Sequence, residues 1–357
     1  MKKAFTAVRA LAAVMAFVLL TLCLVSCGDK IKPVESTEQE MRVVGKCDEY
    51  DIYYEELRFV TATYKRTLEQ KYGAGIWDDE RTAEKYRAEL ESLVLENLKA
   101  NYAILTGCKN LFVDINSKDV DEYVQEQIEI LVNQSEEQGG FGGDFDAYLT
   151  WLSDNGLTDH YLRFIYRVDY LESTMYYAII DAGIFEYSSK NYSDFLDYVL
   201  AGEDYARTIH VYIPIENRDK QQSYYDTAKA IADELAACTD DDERYSLMCQ
   251  HIGSAVNKDL TITEKGYYFT HNEMGEAYED AAFALDVYET SDVVEYGGGY
   301  YVLMRMPIEE LDVLMYGDQL LQYYQSAQMG AYEDGIKENM TIELNEYGKS
   351  LDLLNLD

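Results

Sequence analysis

The spacing of apolar positions divides the chain into stretches of different period. Residues 42–60, RVVGKCDEYDIYYEELRFV, open as a short strand, turn at Gly45 and run into a helix. From Thr82 the pattern is helical: Leu90, Val94, Leu98, Tyr102 and Leu105 recur every three or four residues and line one face. The run breaks between Cys108 and Asp114. Asn116 or Ser117 then caps a helix carrying Val120, Tyr123 and Ile128. Gly139 to Gly143, with Phe141 among the glycines, reads as a loop. Two further helices are predicted at Asp144–Ser153 and Asp159–Ile180, parted at Gly156. Residues 42–203 are therefore predicted to form a mostly helical lobe.

The period then changes. Thr208–Ile213, TIHVYI, is a β-branched and aromatic run closed by Pro214, which predicts a strand. Helices follow at about Lys220–Ala237 and Asp241–Ile252, then a strand at Tyr267–Phe269 and a helix at Glu276–Leu285. Val293–Tyr296 and Tyr300–Met306 flank three glycines and predict a hairpin. The order β-α-α-β-α-β-β over residues 204–307 defines a compact α+β domain. Residues 318–338 return to a helical pattern with Leu320, Tyr324, Ala327 and Ala331 on one face. So short a helix is marginal alone. The expectation is that residues 308–357 return to dock on the helical lobe, making the α+β domain an insertion. The fold class predicted is α+β.

Composition narrows the function. The chain has 357 residues, 67 Asp plus Glu against 30 Lys plus Arg, and a formal charge of -37. Such a charge repels phosphate backbones and argues against nucleic-acid binding. A hydrophobic content of 48% is too high for a disordered chain. Lys2, Lys3 and Arg9 precede an apolar run from Leu11 to Leu24, which stops at Leu24-Val25-Ser26-Cys27-Gly28. This stretch resembles a bacterial lipoprotein signal, in which the cysteine thiol takes a lipid before cleavage. It implies a protein held by lipid on Cys27 at the extracytoplasmic face of a cell membrane, with residues 28–41 as a polar tether. Cys47, Cys108, Cys238 and Cys249 leave bridges and free thiols equally open. No cofactor is expected, and no metal. Cys249 and His251 lack further ligands, and Asp240–Glu243 lacks the glycine and ligand alternation of a calcium loop.

Several segments together resemble a known family. MGEAYEDAAFAL at residues 274–285 is similar to the helix of parvulin peptidylprolyl isomerases that carries a methionine, an aromatic and an acidic-Ala-x-Phe-x-Leu signature. SDVVEYGGGYYVLMRM resembles their terminal hairpin, and ARTIHVYI their opening strand with its histidine. VVGKCDEYDIYYEEL and KENMTIELNE are similar to the first and last segments of PrsA- and SurA-like foldase lipoproteins. The resemblance implies a chaperone lobe plus an isomerase that rotates X-Pro bonds, acting on unfolded or nascent secreted chains. It places Met274 and Tyr278 in the proline pocket, with Phe269 as another wall and Phe283 close behind. It places His210 behind the pocket, and Tyr301 where a second histidine stands in the family. The family's Cys or Asp facing the proline carbonyl falls on Ser254 or Ala255, neither charged, with Asp259 further along.

These departures leave two readings: a foldase with isomerase activity through His210, Tyr301 and Ser254, and a holdase whose parvulin-like domain has lost catalysis. A surface adhesin or solute-binding lipoprotein is a third, without a ligand motif to support it.

Overall fold

The computed structural model describes residues 31–263 and 265–356. Cys27 and its apolar leader lie outside the described residues, as do the first positions of the tether. The chain divides into two compact units, one of residues up to Ile184 and from Tyr332 onward, the other Phe185–Ala331.

The first unit opens with β1 (Val43–Cys47) and β2 (Tyr50–Tyr53), paired antiparallel. Helices follow: α1 (Tyr54–Tyr72), α2 (Glu80–Asn110), α3 (Lys118–Asn133), α4 (Phe145–Asp154) and α5 (Asp159–Ala182). The starts of α2 to α5 are fixed by side-chain caps. Asp79 accepts from the amides of Arg81 and Thr82, Ser117 from Val120, Asp144 from Ala147 and Thr158 from Tyr161. Such a cap is worth about 1 kcal/mol. The stripe expected on α2 is buried, with Leu90, Val94, Leu98, Tyr102 and Leu105 all in the core.

The second unit begins with α6 (Tyr192–Ala201) and continues through β3 (Tyr205–Pro214), α7 (Gln221–Ala236), α8 (Asp241–Ile252), β4 (Tyr267–Thr270), α9 (Glu276–Phe283), β5 (Val294–Tyr296) and β6 (Gly299–Met306). This contains the β-α-α-β-α-β-β order expected from the sequence. The strands form one antiparallel sheet in the order β4-β3-β6-β5. Gly297 and Gly298, both at positive φ, make the turn between β5 and β6 that only glycine adopts without strain.

The period of two along β3 sorts its side chains. Ile209, Val211 and Ile213 point to one face and pack with Ala228, Ile231 and Leu235 of α7 and Met248 of α8. Ala206 and His210 take the other face, where Phe269, Tyr278, Ala282 and Leu303 lie. The long α10 (Glu310–Glu338) begins well before the expected residue 318. Its Val313, Leu320, Leu321 and Tyr324 pack on Phe195 and Val199 of α6 and on Tyr205. The boundaries therefore fall at 184/185 and 331/332 rather than at 203/204 and 307/308. The cause is that α6 and most of α10 share one core.

The chain then closes with β7 (Ile342–Leu344) and α11 (Glu346–Ser350) in the first unit. β7 pairs antiparallel with β1, opposite the side taken by β2. Neither α6 nor β7 was anticipated from the pattern. Among the described residues no disulfide joins cysteines, and Cys47 and Cys108 are buried thiols. Burial pushes the Cys47 thiol up to about 12 and that of Cys108 to about 11. No described helix is long and apolar enough to cross a membrane.

Candidate functional site

His210 stands at the middle of β3, 2% exposed, with both ring nitrogens engaged. Nδ1 lies 2.9 Å from the Tyr278 hydroxyl of α9, and Nε2 lies 3.0 Å from Asp259 Oδ2. The Tyr278 oxygen is also 2.8 Å from Thr208 Oγ1, one step along the same face of β3. An ionised carboxylate only accepts, so Nε2 carries the proton toward Asp259. Nδ1 of a neutral ring must then accept, so Tyr278 donates to it and Thr208 donates to Tyr278.

The charges of this chain follow from burial and bonding. Burial pushes the His210 pKa below its ordinary value, against the pull of Asp259, so the ring is neutral at pH 7. Burial alone would raise the Asp259 carboxyl. The hydrogen bonds from Thr261 and from His210 outweigh it and hold the carboxyl below the usual range. Oδ1 accepts from the Thr261 amide at 2.8 Å and from its hydroxyl at 2.6 Å. The Tyr267 hydroxyl bonds Oδ2 at 3.3 Å and also the Thr261 hydroxyl. Asn257 fixes this loop to the sheet: its Oδ1 accepts from the Tyr212 amide at 3.0 Å, and its Nδ2 donates to the carbonyls of Ile252 and Asp259.

Aromatic rings crowd the imidazole. Tyr301 meets it edge-on with centroids 5.0 Å apart and stacks on Tyr212 at 4.6 Å. Tyr267 lies 5.6 Å away and Tyr278 5.8 Å. Tyr296 touches both Tyr278 and Tyr301. Burial raises the phenol pKa of Tyr278 and of Tyr301, so both stay protonated. Met274, half-buried at the edge of this cluster, is held by its backbone. Glu279 accepts from the Met274 amide at 2.7 Å and from the Asn272 amide at 3.1 Å, clipping the β4–α9 turn to the helix. The next residue, Gly275, lies so close to the Tyr296 ring that a Cβ there would collide with it.

The residues singled out from the sequence are thus partly brought together. His210, Tyr278, Tyr301 and Met274 meet. Phe269 packs on Tyr278 with centroids 5.7 Å apart, and Phe283 packs on Phe269. Tyr278 and Phe269 are fully buried, so they form the floor beneath the cluster, with Met274, Tyr267, Tyr296 and Tyr301 around them. Two expectations need correction. Ser254 is not beside His210: its hydroxyl donates to the His251 carbonyl and accepts from the Val256 amide, closing the end of α8. The acid is Asp259. Tyr301, expected to act with His210, makes no hydrogen bond to it, because both imidazole nitrogens are occupied by Tyr278 and Asp259, and meets the ring edge-on instead.

A second histidine–carboxylate cluster lies in the first unit, beside a cavity of about 310 Å³ walled by Tyr50, Tyr53, Tyr102, Tyr161 and Phe164. Glu55 accepts from His160 Nδ1 at 2.5 Å, from Thr158 Oγ1 at 2.5 Å and from Ser36 Oγ at 3.0 Å. Glu56 accepts from the Tyr53 amide at 3.1 Å and the Tyr102 hydroxyl at 2.9 Å. Among the described residues no group of His, Cys, Asp or Glu is arranged to hold a metal ion.

No protein-family model matches this chain, and no curated protein does. Solved structures similar to it include the peptidylprolyl isomerase PrsA of Bacillus anthracis, 17% identical, covering 68% of this chain and 94% of that one, with a TM-score of 0.35. The foldase protein PrsA of Streptococcus pneumoniae is 16% identical over 89% of this chain and 97% of that one, with a TM-score of 0.28. A SurA-like chaperone of Campylobacter jejuni is 11% identical over 85% and 99%, with a TM-score of 0.27. Likenesses as loose as these assign no role to any residue here.

Proposed function

We propose that this chain is an extracytoplasmic foldase, tethered to the membrane by lipid on Cys27, that binds unfolded secreted chains and isomerises X-Pro bonds in its second unit. The observation that carries the reading is His210 fixed between the Tyr278 hydroxyl and the Asp259 carboxylate beneath a cluster of aromatic rings and Met274. Rotation about an X-Pro bond faces about 18–20 kcal/mol because twisting removes amide resonance. No bond is made or broken, so the site needs an apolar seat for the proline ring and a field that favours the twisted amide. Met274, Tyr296 and Tyr301 supply the seat. The planar amide carries more negative charge on its oxygen than the twisted one, so a fixed carboxylate beside that oxygen destabilises the planar form more. Asp259 is that carboxylate. His210 and Tyr278 are positioning residues that hold it.

The test is a protease-free isomerisation assay on an X-Pro peptide with the soluble fragment from Gly28. The expected result is a rate above the uncatalysed one, lowered about ten-fold or more in Met274→Ala and in Asp259→Asn. A background rate from folded protein that still suppresses aggregation of an unfolded client would overturn the isomerase and leave a holdase.

A further inference from the structure

The helix α10 is apolar on two faces. One face packs on α6, and Gly317 lies so close to Tyr192 and Leu196 that a Cβ would overlap them. The other face looks out. Leu311, Leu314 and Met315, spaced i, i+3 and i+4, are 68%, 58% and 61% exposed, and Tyr316 and Tyr323, seven apart, flank them half-exposed. A lone exposed leucine is ordinary, but adjoining apolar side chains on one helix face mark a contact surface. The three aliphatic side chains include a methionine, whose unbranched thioether adapts to differently shaped partners.

Charge decides what kind of partner fits. From Glu310 to Ala331 the helix carries Glu310, Asp312 and Asp318 and no Lys or Arg. Glu309 precedes it. The basic groups beside it are Arg207, paired with Glu309 at 3.4 Å, and Lys265, bonded to the Tyr316 hydroxyl at 3.2 Å. The surroundings stay net negative. A second copy of this chain, itself at -37, would bring like charge against like. An anionic lipid surface is repelled for the same reason.

We infer that the Leu311–Leu314–Met315 face of α10 is a docking surface for unfolded polypeptide segments in which Lys or Arg alternates with apolar residues. This rests on the client-binding part of the function proposed above and names the surface and the client chemistry. Apolar side chains of the segment cover the stripe while its cations lie beside Glu310, Asp312 and Asp318. Proline plays no part.

The test uses fluorescence anisotropy of two short, proline-free labelled peptides, one of Leu, Lys and Gly and one with Glu replacing Lys. Each is titrated with the soluble chain from Gly28. The Lys peptide is expected to bind at least about ten-fold more tightly than the Glu peptide, and to weaken as salt rises. A triple Leu311→Ser, Leu314→Ser, Met315→Ser variant is expected to weaken Lys-peptide binding about ten-fold, and Glu310→Gln with Asp318→Asn about three-fold. All these side chains are exposed, so folding is retained, which circular dichroism checks. Met274→Ala leaves this binding unchanged, so failure of the isomerase and failure of this surface are told apart. Equal binding of the two peptides, or wild-type binding by the triple variant, overturns the proposal. So does sedimentation showing a dimer that the triple variant loses, which would assign the face to a second copy.

Discussion

Each unit sets a carboxylate against a histidine, and the two histidines are pushed in opposite directions. In the first unit, hydrogen bonding to Glu55 holds the His160 pKa above its ordinary value, although partial burial opposes it. Burial alone would raise Glu55. The bonds from His160, Thr158 and Ser36 outweigh it and hold the carboxyl down. His160 is about half-exposed, so its charge is partly solvated. His210 is sealed in the sheet, and burial wins over Asp259. The same two residue types therefore favour a charged ring in one place and a neutral hydrogen-bonded ring in the other. Exposure of the imidazole, more than the presence of the acid, sets the outcome. An ion pair pins elements together. A neutral ring that donates to an acid leaves that acid charged, which is what a site acting by electrostatics needs.

The largest expected effect comes from breaking the charged pair. Glu55→Ala strands His160 and leaves the buried Thr158 hydroxyl, which still accepts from the Tyr161 amide, without an acceptor for its own proton. It should cost about 3–4 kcal/mol in chemical denaturation, most of it from the lost hydrogen bonds to the buried carboxylate because water screens the half-exposed imidazole, and Glu55→Gln, which keeps one acceptor oxygen, should recover part of it. Next is the neighbouring acid. Burial pushes the Glu56 carboxyl up from 4.5 to about 7, against the bonds from Tyr53 and Tyr102. A raised carboxyl keeps its proton in the folded state. Its contribution is fully present below pH 4.5, and stability falls as pH rises toward 7, by roughly 3 kcal/mol. Glu56→Gln should flatten that part of the pH profile measured by denaturant titration. The smallest is Tyr278→Phe, which removes the hydroxyl between His210 and Thr208 without a large cavity. A loss of about 1–2 kcal/mol is expected. A loss as large as that of Glu55→Ala would mean the neutral network bears as much of the fold as the ion pair.

The elements of the second unit from β3 to β6 were legible because each carries its own local signal. The β-branched run at 208–213 and the glycine turn at 297–298 are local signals, and α8 is capped by Asp240, whose side chain accepts from the Glu243 amide. Asp259 was hidden for the opposite reason. It sits in the irregular stretch after α8, where no periodicity counts residues into register, and Asn257 and Thr261 aim it through contacts with β3 and β4. The Asx-type spacing Asn257-Lys258-Asp259 is the one signal that could have pointed there. Tyr278 was singled out through the resemblance, but its hydroxyl's reach to His210 depends on a sheet-to-helix distance that sequence does not encode. β7 was missed because three residues of alternating character carry too little pattern.

The pairing of β7 with β1 also dictates an order of assembly. β1 is the central strand of its sheet, and one of its edges stays open until the segment around residue 343 has left the ribosome. The lobe that starts the chain is therefore the last to be completed, after the interposed sheet domain has all its strands. Contacts between such distant residues close slowly, and an unpaired central strand invites wrong partners meanwhile. A protein proposed to guard other chains during folding passes through its own exposed interval first.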